Sequence, residues 1–211
     1  TPCLRDVYRE ILSVSRSLQA PTTVAYLGPE ASFSHLAALS HFGRRAVLSP
    51  AATIAEVFDA VEKRGSDWGV VPVENSTEGA VKPTQDRLIS TPLVVRAEVF
   101  LRVSLCLLSR RSGRRGIRRI YSHPQALAQC RGWLDRNVPR AARLEVPSTT
   151  AAVLKALEET DGAAIGSSLA AVHYGLGILE SGIEDSPLNT TRFFVIGRGE
   201  GRPTDRDKTS I

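Results

Sequence analysis

The 211-residue sequence contains no methionine, three cysteines and only 6% aromatic residues. A chain lacking even an initiator reads as processed or, more simply, as a piece excised from something longer. Cys3, Cys106 and Cys130 make no C-x-x-C pair, and their odd number argues against a disulfide framework. Reduced thiols in a cytoplasmic protein are therefore expected. Long apolar runs are missing too. The most apolar stretch, residues 93–109, is interrupted by Arg96, Glu98 and Arg102 and alternates like a strand, so no membrane span is expected. Arg5, Asp6, Arg9, Glu10 and Arg16 stand where a secretion signal needs an apolar core.

Signatures of cofactor chemistry are equally scarce. His35, His41, His123 and His173 have no paired metal-ligand spacing with cysteine or carboxylate residues, so no metal is expected. G-x-G-x-x-G and Walker loops are absent, which removes the usual dinucleotide and nucleoside triphosphate sites. No G-x-S-x-G elbow is present, and only His123 is placed to act as a base beside a hydroxyl. No cofactor is expected.

What remains is an ordinary globular balance, 42% hydrophobic and 23% charged, long enough for one large domain or two lobes. Lys and Arg number 27 against 22 Asp and Glu. The resulting surplus of +5 suits a small anion but is too diffuse to indicate nucleic acid. The densest basic run is Arg110, Arg111, Arg114, Arg115, Arg118 and Arg119. No aromatic interrupts it to stack on bases, so it reads as a solvated loop.

Residues 4–18 have the apolar spacing of a helix. From Thr22 onward, short apolar runs alternate with polar turns and helical segments. Strands are expected at 23–27, 68–73, 93–108 (as one strand or two), 117–121, 144–146, 163–165 and 192–196. Helices are expected at 32–42, 54–64, 124–136, 150–159 and 169–174. The alternation predicts an α/β protein with mostly parallel sheets. The extended segment near 99–109 and the late strand near 191–197 predict two lobes joined by two strands, with a central cleft between them.

The turn after each strand is where hydroxyls and amides collect. Gly28-Pro29-Glu30-Ala31-Ser32-Phe33-Ser34 follows the first strand, and Glu74-Asn75-Ser76-Thr77-Glu78-Gly79 follows the second expected one. Ser122-His123-Pro124-Gln125, Ser148-Thr149-Thr150 and Gly166-Ser167-Ser168 follow later ones. Each places polar groups where a helix start presents unpaired N–H groups. Converging on one cleft, such turns bind carboxylates without a metal. Taken singly, Ser148 and Ser167 read as plain helix caps.

At these turns the chain resembles the prephenate dehydratase family. The resemblance rests on residues 28–34, Val71-Pro72-Val73-Glu74-Asn75-Ser76-Thr77-Glu78-Gly79, Ser122-His123-Pro124-Gln125-Ala126-Leu127-Ala128-Gln129-Cys130 and Thr191-Arg192-Phe193. Ala31 departs from the family's usual Gly, and Ser32 replaces its usual Thr. The resemblance implies a two-lobed fold similar to type II periplasmic binding proteins. It implies the loss of carbon dioxide and water from the small-molecule substrate prephenate, giving phenylpyruvate. It implies a catalytic set of Thr191, Asn75 and Glu74, and substrate binding by Arg192, Ser76, Ser122, Gln125, Gln129, Thr150, Ser32 and Phe193. Thr191 is expected to donate a hydrogen bond to the departing hydroxyl. Arg192 is expected to clamp a carboxylate, with a salt bridge beneath the cleft as the alternative, and Glu74 either polarises the threonine side or merely orients Asn75.

The flanks resemble pieces of neighbouring domains. Residues 1–21 look like the last helix and linker of a chorismate mutase domain, and 199–211 like a linker toward an ACT regulatory domain. Lobe I would comprise 22–102 with 187–198, and lobe II 103–186. The resemblance also implies a homodimer or higher homo-oligomer for the full-length protein. The competing readings are an arogenate dehydratase and a non-catalytic two-lobed module that binds small anions.

Overall fold

The computed structural model describes residues 21–186 and 188–199, together with Val7, Tyr8, Glu10 and Ile11, which lie in helical backbone. The expected helix over 4–18 and the tail beyond Gly199 otherwise fall outside the described residues. Two sheets organise the rest. Chain order in the first half is β1 (Thr23–Leu27), α1 (Phe33–Phe42), β2 (Val47–Ala51), α2 (Ile54–Glu62), β3 (Trp68–Asn75), β4 (Gly79–Ala80), α3 (Lys82–Ser90) and β5 (Val94–Arg102). The second half runs β6 (Cys106–Ser109), β7 (Arg119–Ser122), α4 (Pro124–Gln129), α5 (Arg131–Asn137), β8 (Ala142–Glu145) and α6 (Thr149–Glu158). It closes with β9 (Gly162–Gly166), α7 (Ser168–Tyr174), β10 (Gly177–Ser181) and β11 (Thr190–Gly197).

The first sheet has the order β2-β1-β3-β11-β5, with β4 beside β3, and the second β10-β6-β9-β7-β8. The α/β class and the two-lobed division follow from this arrangement. The expected majority of parallel pairs does not. β1–β2, β1–β3, β7–β8 and β7–β9 are parallel. β10–β6, β11–β3, β11–β5, β3–β4 and β6–β9 are antiparallel. The sheets are mixed because β5 passes directly into β6 and β11 returns across the same gap, so neither crossing strand has the helical crossover that a parallel neighbour requires. Where the two crossings meet, the Val103 N–H donates to the Asn189 carbonyl at 2.8 Å.

Each sheet is covered on both faces. In the first, Val24, Tyr26, Val70, Phe193 and Val195 pack with Ala37 and Ala38 of α1. On its other face Ala25, Val71 and Ile196 meet Val57, Phe58 and Val61 of α2. In the second, Leu105, Leu107, Ile120 and Ile165 pack on Leu127 and Leu134. Its opposite face joins Cys106, Leu108 and Ala164 to Ala152, Val153, Ala156, Ala170 and Ala171. Helix starts are capped as the polar turns predict: Ser32, Thr53, Ser148 and Ser167 each accept a backbone N–H three residues on.

Several elements differ from expectation for identifiable reasons. β2 was not foreseen because Val47-Leu48-Ser49-Pro50-Ala51 carries a proline, tolerable only because β2 is an edge strand. α3 lacks an apolar stripe and buries Thr84 alone, whose hydroxyl donates to the Pro72 carbonyl at 2.6 Å. The expected helix over 124–136 breaks at Cys130 into α4 and α5. The basic loop finds a structural use: Arg110 and Arg111 donate to the Leu157 and Thr160 carbonyls at the end of α6, beside an open hollow of 580 Å³.

Gly69 lies where α2 and β11 close over β3. A Cβ there would stand 2.8 Å from Ile196 Cγ1 and 2.9 Å from Val57 Cγ1. Gly69→Ala is expected to cost about 1–3 kcal/mol as an overpacked core. A lower urea midpoint with an unchanged m-value is the expected readout, and an unchanged midpoint would show that the two layers part freely.

Candidate active site

Residue pairing across the first sheet places the polar side chains. Thr191 lies opposite Asn75, and Arg192 opposite Glu74. Neighbours along a strand point to opposite faces, so the first pair shares one face and the second pair the other. Thr191 is buried, at 9% exposure, with Asn189 before it at 2%. Asn75 Nδ2 donates to Thr191 Oγ1 at 2.7 Å and to Asn189 Oδ1 at 2.9 Å. Asn75 Oδ1 accepts from the Thr77 backbone N–H at 3.0 Å and from the Thr77 hydroxyl at 2.6 Å.

A backbone N–H is a donor only, so the bond from Thr77 fixes which end of the Asn75 amide is oxygen. The rest of the network takes its direction from that. Asn189 Nδ2 donates to Gln129 Oε1 at 2.9 Å, and Gln129 Nε2 donates to Thr77 Oγ1 at 3.1 Å. Asn75, Asn189, Gln129 and Thr77 thus close a ring in which every donor points the same way around. Gln129 ends α4 of the second lobe, whereas Asn75 and Thr77 belong to the first. The ring is uncharged and spans the gap between the lobes.

Of the residues expected at the site, Thr191, Asn75 and Gln129 come together here. Ser76 borders them, donating to the Leu188 carbonyl at 3.0 Å and accepting from the Thr190 N–H at 3.0 Å. Glu74 and Arg192 sit on the reverse face. The Arg192 guanidinium pairs with Glu98, lies 3.8 Å from Glu74, and is held over the rings of Phe194 and Phe100. Phe193 is 1% exposed and belongs to the core of the first lobe. Ser122 is fully buried, and its hydroxyl donates to the Ile165 carbonyl, joining β7 to β9. Gln125 is half-buried in the first turn of α4, where its N–H donates to His123 Nδ1.

Thr150 serves a second contact between the lobes, and Ser32 ends the loop it binds. Loop 28–32 reaches into the second lobe, where Ala31 packs among Ala152, Val153 and Ala170. The Thr150 hydroxyl donates to the Glu30 carbonyl at 3.2 Å and the Ser167 hydroxyl to the Ala31 carbonyl at 2.9 Å. Two of the expected anion-binding helix starts are therefore docking points for the protein's own backbone. Ala31 holds φ at 61°, the left-handed region that favours glycine. Its N–H donates to His35 Nδ1 at 2.9 Å, and His35 stacks on Tyr26. Ser32 caps α1 and donates to the Leu27 carbonyl.

Sequence reasoning missed Asn189 and Thr77. Both left a signal: Asn189 stands two residues before Thr191, the spacing at which an extended chain returns to one face, and Asn75-Ser76-Thr77 has the spacing of an Asx turn.

The chain is thus a two-lobed α/β protein in which a threonine, an asparagine and a glutamine converge between the lobes as neutral hydrogen-bonding groups. A protein-family model described as prephenate dehydratase matches residues 24–201, and the chain belongs to that family. It is 45% identical to a bifunctional chorismate mutase/prephenate dehydratase of Aquifex aeolicus over 208 residues, covering 99% of this chain and 58% of the relative. The chain thus spans little more than half the length of that relative. Among solved structures it is similar to a prephenate dehydratase from Arthrobacter aurescens in complex with L-Phe, at TM-score 0.80 and 30% identity, covering 88% of this chain and 63% of that one. It is also similar to GqqA, described as a novel type of quorum quenching acylase, at TM-score 0.75 and 29% identity, covering 89% and 67% of the two chains.

His35 gives the site a pH dependence. Burial, reinforced by His173 and opposed by Glu30, holds its pKa below the ordinary value. The bond from Ala31 also requires an unprotonated Nδ1. The unfolded imidazole titrates near about 6.5, so the stability from neutral His35 is complete above that pH and is lost as pH falls through the lower folded value. Melting temperatures measured at about pH 7.5 and about pH 5 should fall less in His35→Gln, whose amide oxygen accepts from Ala31 without titrating. Equal acid losses in both proteins would show that another group titrates.

Proposed function

We propose that this chain is the dehydratase portion of a longer enzyme and converts prephenate to phenylpyruvate, carbon dioxide and water. This is a lyase reaction that needs no cofactor. The bond from Asn75 Nδ2 to Thr191 Oγ1 at 2.7 Å carries the reading. Because the amide must donate there, the threonine oxygen accepts, and the hydroxyl proton is left to donate elsewhere. A departing hydroxyl is the group that needs it.

In the reaction the bond between the ring and its carboxylate breaks, and its electron pair flows into the ring as carbon dioxide leaves. The ring C–O bond breaks with its electron pair as aromaticity forms, and the departing oxygen, held by a hydrogen bond, becomes water with one proton that comes from solvent. A threonine hydroxyl is too weak an acid to give up its proton fully at neutral pH, so Thr191 acts as a preorganised hydrogen-bond donor. The absence of charge in the ring of amides suits the lost carboxylate, since a cation beside it would stabilise the charge that must disappear. Gln129 meets the substrate as a neutral donor through the Nε2 hydrogen outside the ring, while Asn75, whose two amide hydrogens go to Thr191 and Asn189, acts by holding the threonine, with Ser76 and Gln125 at the border. Glu74 and Arg192 act from the reverse face, where their pairing holds the strand that carries Asn75 and Thr191. Closure of the lobes excludes water from the breaking bonds.

An acylase chemistry would require a nucleophile with a base beside it. The partner of Thr191 is an amide N–H, which takes no proton, and this favours the dehydratase reading. The lobes are taken as 22–102 with 187–198 and 103–186, within a cytoplasmic homo-oligomer of the longer enzyme. No helix among the described residues is long and apolar enough to cross a membrane.

Thr191→Val keeps the volume and removes the donor. Turnover of prephenate by the full-length enzyme is expected to fall about 10²–10³-fold, with the Michaelis constant within a few-fold. An unchanged turnover would remove Thr191 from the mechanism. Parallel incubation with arogenate, assayed for phenylalanine, separates the two substrates.

A further inference from the structure

We infer that Asn189 is a positioning residue for Thr191, acting through the one-way ring of side-chain hydrogen bonds. The inference rests on the proposed role of Thr191 and extends it to a residue that need not touch the substrate.

Asn75 Nδ2 has two hydrogens. One goes to Thr191 Oγ1 and the other to Asn189 Oδ1. A planar amide with its oxygen held by the Thr77 N–H and one hydrogen held by Asn189 has no rotation left, so its second hydrogen is fixed on the threonine oxygen. Remove Asn189 and the amide is held, apart from Thr191 itself, only by its bonds to Thr77, about which it can swing. Asn189 is in turn oriented by Gln129, whose carbonyl oxygen takes the Asn189 amide hydrogen at 2.9 Å.

Gln129 itself is held from behind. Its backbone carbonyl accepts from the Asp185 N–H at 2.7 Å. The Asp185 carboxylate accepts the Gly132 and Trp133 N–H groups at 2.8 and 3.0 Å, fixing the start of α5. The returning segment before β11 therefore grips the end of α4 by one backbone bond and reaches the same residue again through the Asn189 side chain. Asn189 is 2% exposed, so its amide has no water to fall back on if the ring opens. The ring forms only while the lobes are together, which ties the aim of the Thr191 proton to the closed state.

The test is a double-mutant cycle in the full-length enzyme, with prephenate turnover as readout. Asn189→Ala is expected to lower kcat about 10- to 100-fold and leave the Michaelis constant within a few-fold, the signature of misplacement rather than lost binding. In a Thr191→Val background the same change should cost less than about threefold, because the group it positions is already gone. Thr77→Val removes the exposed hydroxyl that closes the ring while keeping the backbone N–H, and should show the same loss of additivity even if Asn189→Ala folds poorly. Equal losses in both backgrounds, for either variant, would make these residues structural and overturn the inference while leaving the reaction in place. A parent enzyme that leaves prephenate untouched would instead overturn the reaction, and the positioning role with it.

Discussion

The site depends on a single backbone bond, from the Thr77 N–H to Asn75 Oδ1. Side-chain amides and hydroxyls reverse easily, and a ring made only of them would have two directions of nearly equal energy. One main-chain donor removes the choice, because a peptide N–H cannot accept. The bond is local, spanning two residues, and so it survives whatever the lobes do. Everything that then points toward Thr191 inherits its direction from a turn that the sequence Asn75-Ser76-Thr77 makes on its own.

The division of labour across β3 and β11 follows from strand alternation. Each functional residue has a neighbour in sequence that faces away from it, and here those neighbours are Glu74 and Arg192. Two aromatic rings and Glu98 hold the guanidinium in place, so the charged residues nearest the site stiffen its floor. Neutral groups on one face and ionic anchorage on the other suit the proposed reaction, in which the substrate sheds a negative charge.

Much of this was legible in the sequence, and the failures are instructive. Alternating apolar runs gave the α/β class, and the motif residues Asn75, Gln129 and Thr191 do meet. Sheet direction was not legible because a strand's apolar pattern is the same whether its neighbour runs parallel or antiparallel; the pairing of β5 and β11 depends on how the chain crosses between lobes. Arg192 leaves two readings open in sequence, a carboxylate clamp or a salt bridge beneath the cleft, because the residue type shows a planar fork without showing which face it leaves from; the structure pairs it with Glu98. Thr150, Ser122 and Ser167 carry the right chemical groups, but those groups are occupied by the Glu30, Ile165 and Ala31 carbonyls. A hydroxyl's type is visible in sequence, whereas its occupancy depends on what packs against it: loop 28–32 of the other lobe for Thr150 and Ser167, and the adjacent strand β9 for Ser122. β2 and α3 were hidden by a proline and by a polar surface.

The bond between Val103 and the Asn189 carbonyl has a mechanical consequence. The two connections between the lobes are bonded to each other there and again where the Ile183 N–H donates to the Leu105 carbonyl at 3.1 Å, so the halves have a common pivot rather than two independent tethers. Asn189 supplies that pivot with its main chain and the gap-spanning amide with its side chain. Rotation about the pivot would swing the arm carrying Gln129 while Asn75 stayed with the opposite half, and the angle of opening would be converted directly into the integrity of the proton-aiming contacts. On the proposed mechanism, a residue at the fulcrum would couple domain motion to chemistry over the length of one side chain.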